Sequence, residues 1–191
     1  MGYSADGNTR GESMTFWTNP KAILLVASLV GFCSSAVAAP CSDYPPEVTA
    51  YLHANPTWSV VQFSDLLKDD QALWKQSPPA QCPGFSQVDF DGTGLKYSAL
   101  ALFQKAKGKL IEKVVVLRRE QGRIHEHTVF AAGKVPYLCV IWKAGPGKAR
   151  DWEGAKEVVI PYESLVYEQM EAWAYQFYLL RGKFKYVQIS G

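Results

Sequence analysis

The run Asp89-Phe-Asp91-Gly92-Thr-Gly94 sets two carboxylates at alternate positions on a tight turn that its glycines permit. Such a turn converges oxygens on one point, which is how a hard cation such as Ca²⁺ gathers its roughly six to eight ligands. Asp89 and Asp91 with backbone oxygens would make a weak calcium site. A hairpin turn, in which Asp and Gly supply only turn chemistry, explains the same residues without a metal. His125-Glu126-His127 is the second pattern with chemical potential. In a strand both imidazoles face one way and begin a transition-metal site. No third ligand stands nearby, and a polar strand face is the competing reading.

Nucleophilic and phosphate chemistry find little to work with. There is no Gly-x-Ser-x-Gly, and His53 is the one histidine outside the pair. Gly145-Pro-Gly147-Lys148 departs from a phosphate-binding loop on both sides, with Trp142 and Ala149 at the deciding positions. Glu157, Glu163, Glu168 and Glu171 could supply the paired carboxylates of a cell-wall or glycan hydrolase, but spacing along strands does not pair them. The chain reads more readily as a non-enzyme. The polar stretch Lys143–Lys156 is the best candidate for a partner-binding surface, through Lys148, Arg150, Asp151, Trp152 and Glu153. Trp and Arg dominate many protein interfaces, and long loops in small proteins often carry function.

These residues need elements to hold them. Residues 39–81 read as helical: Pro45-Pro46 opens a segment with Val48, Tyr51 and Leu52 at helical spacing, closed by Asn55-Pro56. Trp58–Phe63 is ambiguous and short. Ser64 then caps a second helix with Leu66, Leu67, Leu73 and Trp74 on its apolar side, and Ser77-Pro-Pro79 stops it. Residues 82–191 read as strand and turn. Lys107-Gly108, Gln121-Gly122 and Arg181-Gly182 mark hairpins, Gly133-Lys134 leads into a strand Val135–Trp142, and Trp173, Tyr175, Phe177 and Leu179 alternate onto one face. Short connections imply antiparallel neighbours. The expected fold is α+β, an antiparallel sheet with two N-terminal helices packed on one face.

Cellular location is written near the N-terminus. Lys21, the uncharged run Ala22–Phe32 and the small residues through Ala36-Val37-Ala38-Ala39 form a secretory signal peptide over residues 1–38, cut after Ala38. Met14 gives the usual polar opening and is the better start. The mature part, 39–191, is one domain that keeps a net charge near +2. It lacks the clustered cations that nucleic acid demands, and it meets a membrane only through the cleaved leader. Three cysteines remain after cleavage. Cys41 and Cys82 flank the helical segment and are expected to pair in an oxidising space, while Cys139 sits in an apolar strand as a spare thiol.

Phe85–Leu102, with Asp89-x-Asp91-Gly92-x-Gly94 between two apolar strands, resembles one unit of the FG-GAP or VCBS repeat type. Those families place further Asp residues two and six positions past the second one, where this chain has Thr93 and Tyr97. The span Cys82–Ile189 also resembles a group of exported bacterial single-domain proteins without assigned activity. It shares with them the Cys82-Pro-Gly-Phe85 opening, the Asp89-Phe-Asp-Gly turn, Pro146-Gly147-Lys148 and a closing aromatic hairpin. The resemblance implies export and names no catalytic residue. The expected function is an exported, non-enzymatic binding protein of the bacterial envelope, of inhibitor or immunity type. Its partner would be an envelope protein or polymer.

Overall fold

Pro46 and Asn55 bound the first helix for opposite reasons. Proline at the first turn loses no hydrogen bond, and the Asn55 side chain turns back onto the Tyr51 carbonyl at 2.9 Å. In a computed structural model the described residues are 41–76 and 82–191. The leader read at 1–38 and the Ser77-Pro-Pro79 stop lie outside the described residues. Helix α1 is Pro46–Ala54 and α2 is Lys68–Gln76, with a two-residue strand β1 at Ser59–Val60 between them.

Ser64 does not cap α2. Gln62 and Asp65 cap one another across a 3-10 turn, Phe63–Asp65, and the chain is extended again at Leu66. Leu66 and Leu67 therefore precede the helix rather than line it.

The strands are β2 Phe85–Val88, β3 Tyr97–Ala106, β4 Lys109–Glu120, β5 Arg123–Val135, β6 Val140–Ala144, β7 Gly147–Arg150, β8 Glu157–Ile160, β9 Ser164–Gln169, β10 Trp173–Leu180 and β11 Lys183–Ser190. Lys107-Gly108, Gln121-Gly122 and Arg181-Gly182 each have φ positive at both residues. That is the backbone a two-residue turn needs to match the twist of its strands. Gly133 and Lys134 fall inside β5 instead of opening the next strand, which starts only at Val140.

Every ladder is antiparallel, but the strands do not form one sheet. A first sheet runs β1-β3-β4-β5 with β2 also pairing β3, a second runs β11-β10-β9-β6, and β7-β8 is a separate ribbon. The two large sheets meet on one side, where Ile141 N–H of β6 donates to the Pro83 carbonyl just before β2 (2.7 Å). On the other side each ends on a strand paired along one edge, β5 and β11.

Between the sheets lies the main core. Ala99, Ala101, Val114 and Val116 face Ile141, Leu165, Tyr167 and Phe177. The outer face of the first sheet, Leu100, Leu102, Val115 and Leu117, is covered by Val48 and Tyr51 of α1. Trp74 of α2 instead joins the inter-sheet core. The two helices thus serve different clusters rather than one shared face. The physical reason is the alternation of β3 and β4, which are apolar on both sides and need cover on both.

Candidate functional site

The Asp-Gly turn is a closed arrangement. Asp91 Oδ1 accepts the Thr93 N–H (3.1 Å) and hydroxyl (2.6 Å), and Oδ2 accepts the Tyr97 hydroxyl (3.0 Å) and the Arg118 guanidinium (2.9 Å). An ionised carboxylate has about four acceptor positions, and these donors take all of them. Burial works against the charge of Asp91, but the Thr93 and Tyr97 donors and the Arg118 cation together hold its carboxyl below the ordinary range. Arg118 also bonds the Tyr97 hydroxyl and lies over that ring, 4.7 Å from its centroid. Thr93 and Tyr97 are the positions where the repeat families place carboxylates. Here they carry hydroxyls that donate, and a guanidinium supplies the positive charge. Asp91 accordingly does not fit a calcium ligand.

Asp89 has a different task. Its Oδ2 accepts the Gly94 N–H (2.9 Å), and its own N–H donates to Glu163 Oε2 (2.7 Å). Lys96 and Lys143 bind the same carboxylate at 3.1 and 2.9 Å. Desolvation opposes the charge of Glu163, yet the Asp89 amide and the two lysines outweigh it and pull the carboxyl down to about 2. A group so firmly ionised is no general acid near neutrality. Gly92, at φ +72°, lies against the Tyr162 ring with no room for a side chain. Among the described residues no three His, Cys, Asp or Glu converge on a metal position.

Lys143–Lys156 is not one long loop: Lys143 and Ala144 end β6, Gly147–Arg150 is β7, and 151–156 connects β7 to β8 in a hairpin. β7 and β8 pair in register, Arg150 opposite Glu157 and Lys148 opposite Val159. One face buries Ala149 and Ile160 against Tyr178 and Val187 on the outer side of the second sheet. The other presents Lys148 and Arg150, both held by Glu157 at 2.7 and 3.3 Å. Asp151 is a turn residue, accepting the Lys156 N–H at 3.0 Å. Glu153 is exposed, and Trp152 is 60% exposed while its N–H donates to the Gln188 carbonyl of β11 (2.8 Å). The five residues therefore remain on one hairpin, but three of their charges are already engaged within it. The other hydrolase candidates are likewise engaged or apart: Glu168 accepts the Trp142 indole N–H (2.9 Å), and Glu171 sits exposed at the β9–β10 turn.

Two features went unremarked in the sequence. The first is a cleft of about 190 Å³ lined by Val129, Phe130 and Ala131 of β5 and by Tyr175, Phe177 and Tyr186 of the last hairpin. Its wall is a run of aromatic contacts, Trp173 on Tyr175 (5.3 Å between centroids), Tyr175 on Tyr186 (5.7 Å) and Phe177 on Tyr186 (5.9 Å). His127 flanks it, 5.4 Å from the Phe184 ring. The alternation of Trp173, Tyr175 and Phe177 signals an aromatic face, but not that the opposing sheet stops short of covering it.

The second is Glu112, wholly buried on β4 and in no ion pair among the described residues. One oxygen accepts the Cys139 N–H (3.1 Å); the other, and the nearby Tyr167 hydroxyl, are buried without a hydrogen-bond partner. Desolvation raises the Glu112 carboxyl to about 7, and burial likewise pushes the Cys139 thiol up, away from any nucleophilic role. Glu112 shares the inward parity of Leu110, Val114 and Val116, which is the signal that could have placed it. Cys41 and Cys82 form a disulfide, and Cys139 is free and buried. No described helix is long and apolar enough to cross a membrane.

Comparison with protein-family models, with curated proteins and with solved structures found no match. The class these features define is an antiparallel two-sheet α+β protein with a disulfide.

Proposed function

We propose that this chain is an exported, non-enzymatic binding protein of the bacterial envelope, and that it takes its partner at the aromatic cleft between β5 and the β10–β11 hairpin. The observation that carries the reading is Tyr186, which is 65% exposed yet packed edge-on into a continuous aromatic wall. Aromatic side chains left half-covered around a cleft are costly for a free protein and typical of an interface. Export is supported by the basic start, apolar centre and Ala-x-Ala exit of residues 21–39, and by the Cys41–Cys82 bridge, which persists in an oxidising compartment. The FG-GAP-like turn acts in this reading as a brace, tying β3, β4 and the β8–β9 connection. Trp152 and Arg150, on the ribbon packed against the outer side of the second sheet, offer a second contact surface. An inhibitor or immunity role falls within this class.

The test is capture of partners from envelope extract on the oxidised protein, immobilised as wild type, Tyr186→Ala, and Arg150→Ala with Trp152→Ala. A stoichiometric partner lost in Tyr186→Ala supports the cleft. A partner lost only in the second variant moves the site to the hairpin, and hydrolysis of glycan without any partner would replace the reading.

A further inference from the structure

Resting on that reading, we infer that the cleft receives an extended, acidic peptide segment, which pairs as an added strand along the free edge of β5 and inserts one large apolar side chain. Three independent features converge on this occupant.

The edge comes first. β5 spans Arg123–Val135 and is paired on one side only among the described residues, with Arg123 to Thr128 all exposed. Such a row of unmet N–H and C=O groups is a template for another strand, which proteins normally shorten, bulge or cover. β11, the opposite border, is less free, because the Trp152 N–H already occupies the Gln188 carbonyl.

Size is the second. At about 190 Å³ the cleft falls below the roughly 300–1,000 Å³ of sites that enclose a free small molecule. It suits one bulky side chain, held by Phe130, Tyr175 and Tyr186. An anchor of that kind requires a backbone running past the cleft mouth, and β5 forms one lip.

Charge is the third. Arg123 and Lys134 stand on β5 without ion-pair partners among the described residues, whereas Lys183 and Lys185 of β11 share the outward parity of Val187 and face away from the cleft. The one acid on these strands, Glu126, approaches Lys113 instead, at 4.0 Å. These unmatched cations along β5 select an acidic segment for its free edge and speed the encounter.

The experiment selects a random peptide library against the full oxidised protein, then measures affinity and amide hydrogen exchange with the winning peptides. Alternating sequences carrying Asp or Glu and one Trp, Phe or Tyr are expected, with slowed exchange in β5. N-methylation of alternate peptide amides should weaken binding about tenfold or more, and Tyr186→Ala by roughly thirtyfold. Enrichment of basic or proline-rich peptides, or no enrichment, overturns the inference. Affinity indifferent to N-methylation but lost in Tyr186→Ala overturns strand addition while leaving the cleft as the binding site. Affinity unchanged in Tyr186→Ala overturns both. Slowed exchange in β5 that grows with protein concentration alone would assign the edge to a second copy and overturn the peptide occupant.

Discussion

Glu112→Gln should make this protein more stable at neutral and alkaline pH and remove a pH dependence. The carboxyl of Glu112 is wholly buried, is in no ion pair among the described residues and accepts one hydrogen bond, from Cys139 N–H at 3.1 Å. Burial raises it from its ordinary 4.5 to about 7 in the folded protein. In the unfolded chain it ionises near the ordinary value. Between those two values the native state holds a proton that the unfolded state has released, so stability falls as pH rises, by at most about 1.4 kcal/mol per pH unit. The stability is fully present below about 4.5 and lost once pH passes about 7. Summed over the window the loss is about 3 kcal/mol, a large share of a typical domain's stability. Glutamine keeps the shape and an acceptor for Cys139, and its amide offers a donor toward the Tyr167 hydroxyl beside it. Urea unfolding at several pH values between 4 and 8, on wild type and variant, measures the difference directly. The two curves should nearly coincide at the acid end and separate by about 3 kcal/mol at the alkaline end. A constant offset at every pH, or a variant that is less stable throughout, would refute the reasoning, because the carboxylate would then be ionised and satisfied in the native state.

Glu163 should act with the opposite sign: its carboxyl is held down to about 2, so its contribution is present above the ordinary carboxylate range and fades as pH falls toward that value. With its lysines partly exposed, Glu163→Gln is expected to cost about 1–2 kcal/mol at pH 7 and little near pH 2, by the same urea titration. Breaking the Cys41–Cys82 bridge, which closes a separation of 41 residues, should cost about 4 kcal/mol in the chain-entropy model. Thermal unfolding of Cys41→Ser with Cys82→Ser checks it, while Cys139 stays inert to a thiol reagent until the protein unfolds. Ca²⁺ in excess over chelator should leave the melting temperature unchanged, since all four acceptor positions of Asp91 are taken. A clear rise with Ca²⁺ would show that the Arg118 contact yields to a metal.

Local signals were read well where the responsible chemistry is local. The X-Gly turns after β3, β4 and β10 depend on positive φ at adjacent residues, which the residue types announce. The Cys41–Cys82 pairing followed from there being few partners to choose among. Ser64 misled because a cap competes with its neighbours: Gln62 and Asp65 satisfied each other first and α2 starts only at Lys68. Lys143–Lys156 misled because polar, glycine-rich composition hides the strand Gly147–Arg150, whose one buried side chain is Ala149. At Asp91 the sequence shows the carboxylate and the substituted positions Thr93 and Tyr97, but Arg118 arrives from β4, beyond any local pattern.

Alternation and turn residues determined by themselves that this is an antiparallel, largely β protein, because each depends on a few adjacent side chains, and the small number of cysteines pointed to the Cys41–Cys82 disulfide. Tertiary structure alone decided that the strands divide into two sheets, that the helices serve different clusters, and that Glu112 lies trapped between the walls. It alone also left β5 and β11 uncovered beside an aromatic cleft. Those outcomes depend on which distant strands exclude water from one another, and pairing partners separated along the chain leave no mark on the spacing of nearby residues.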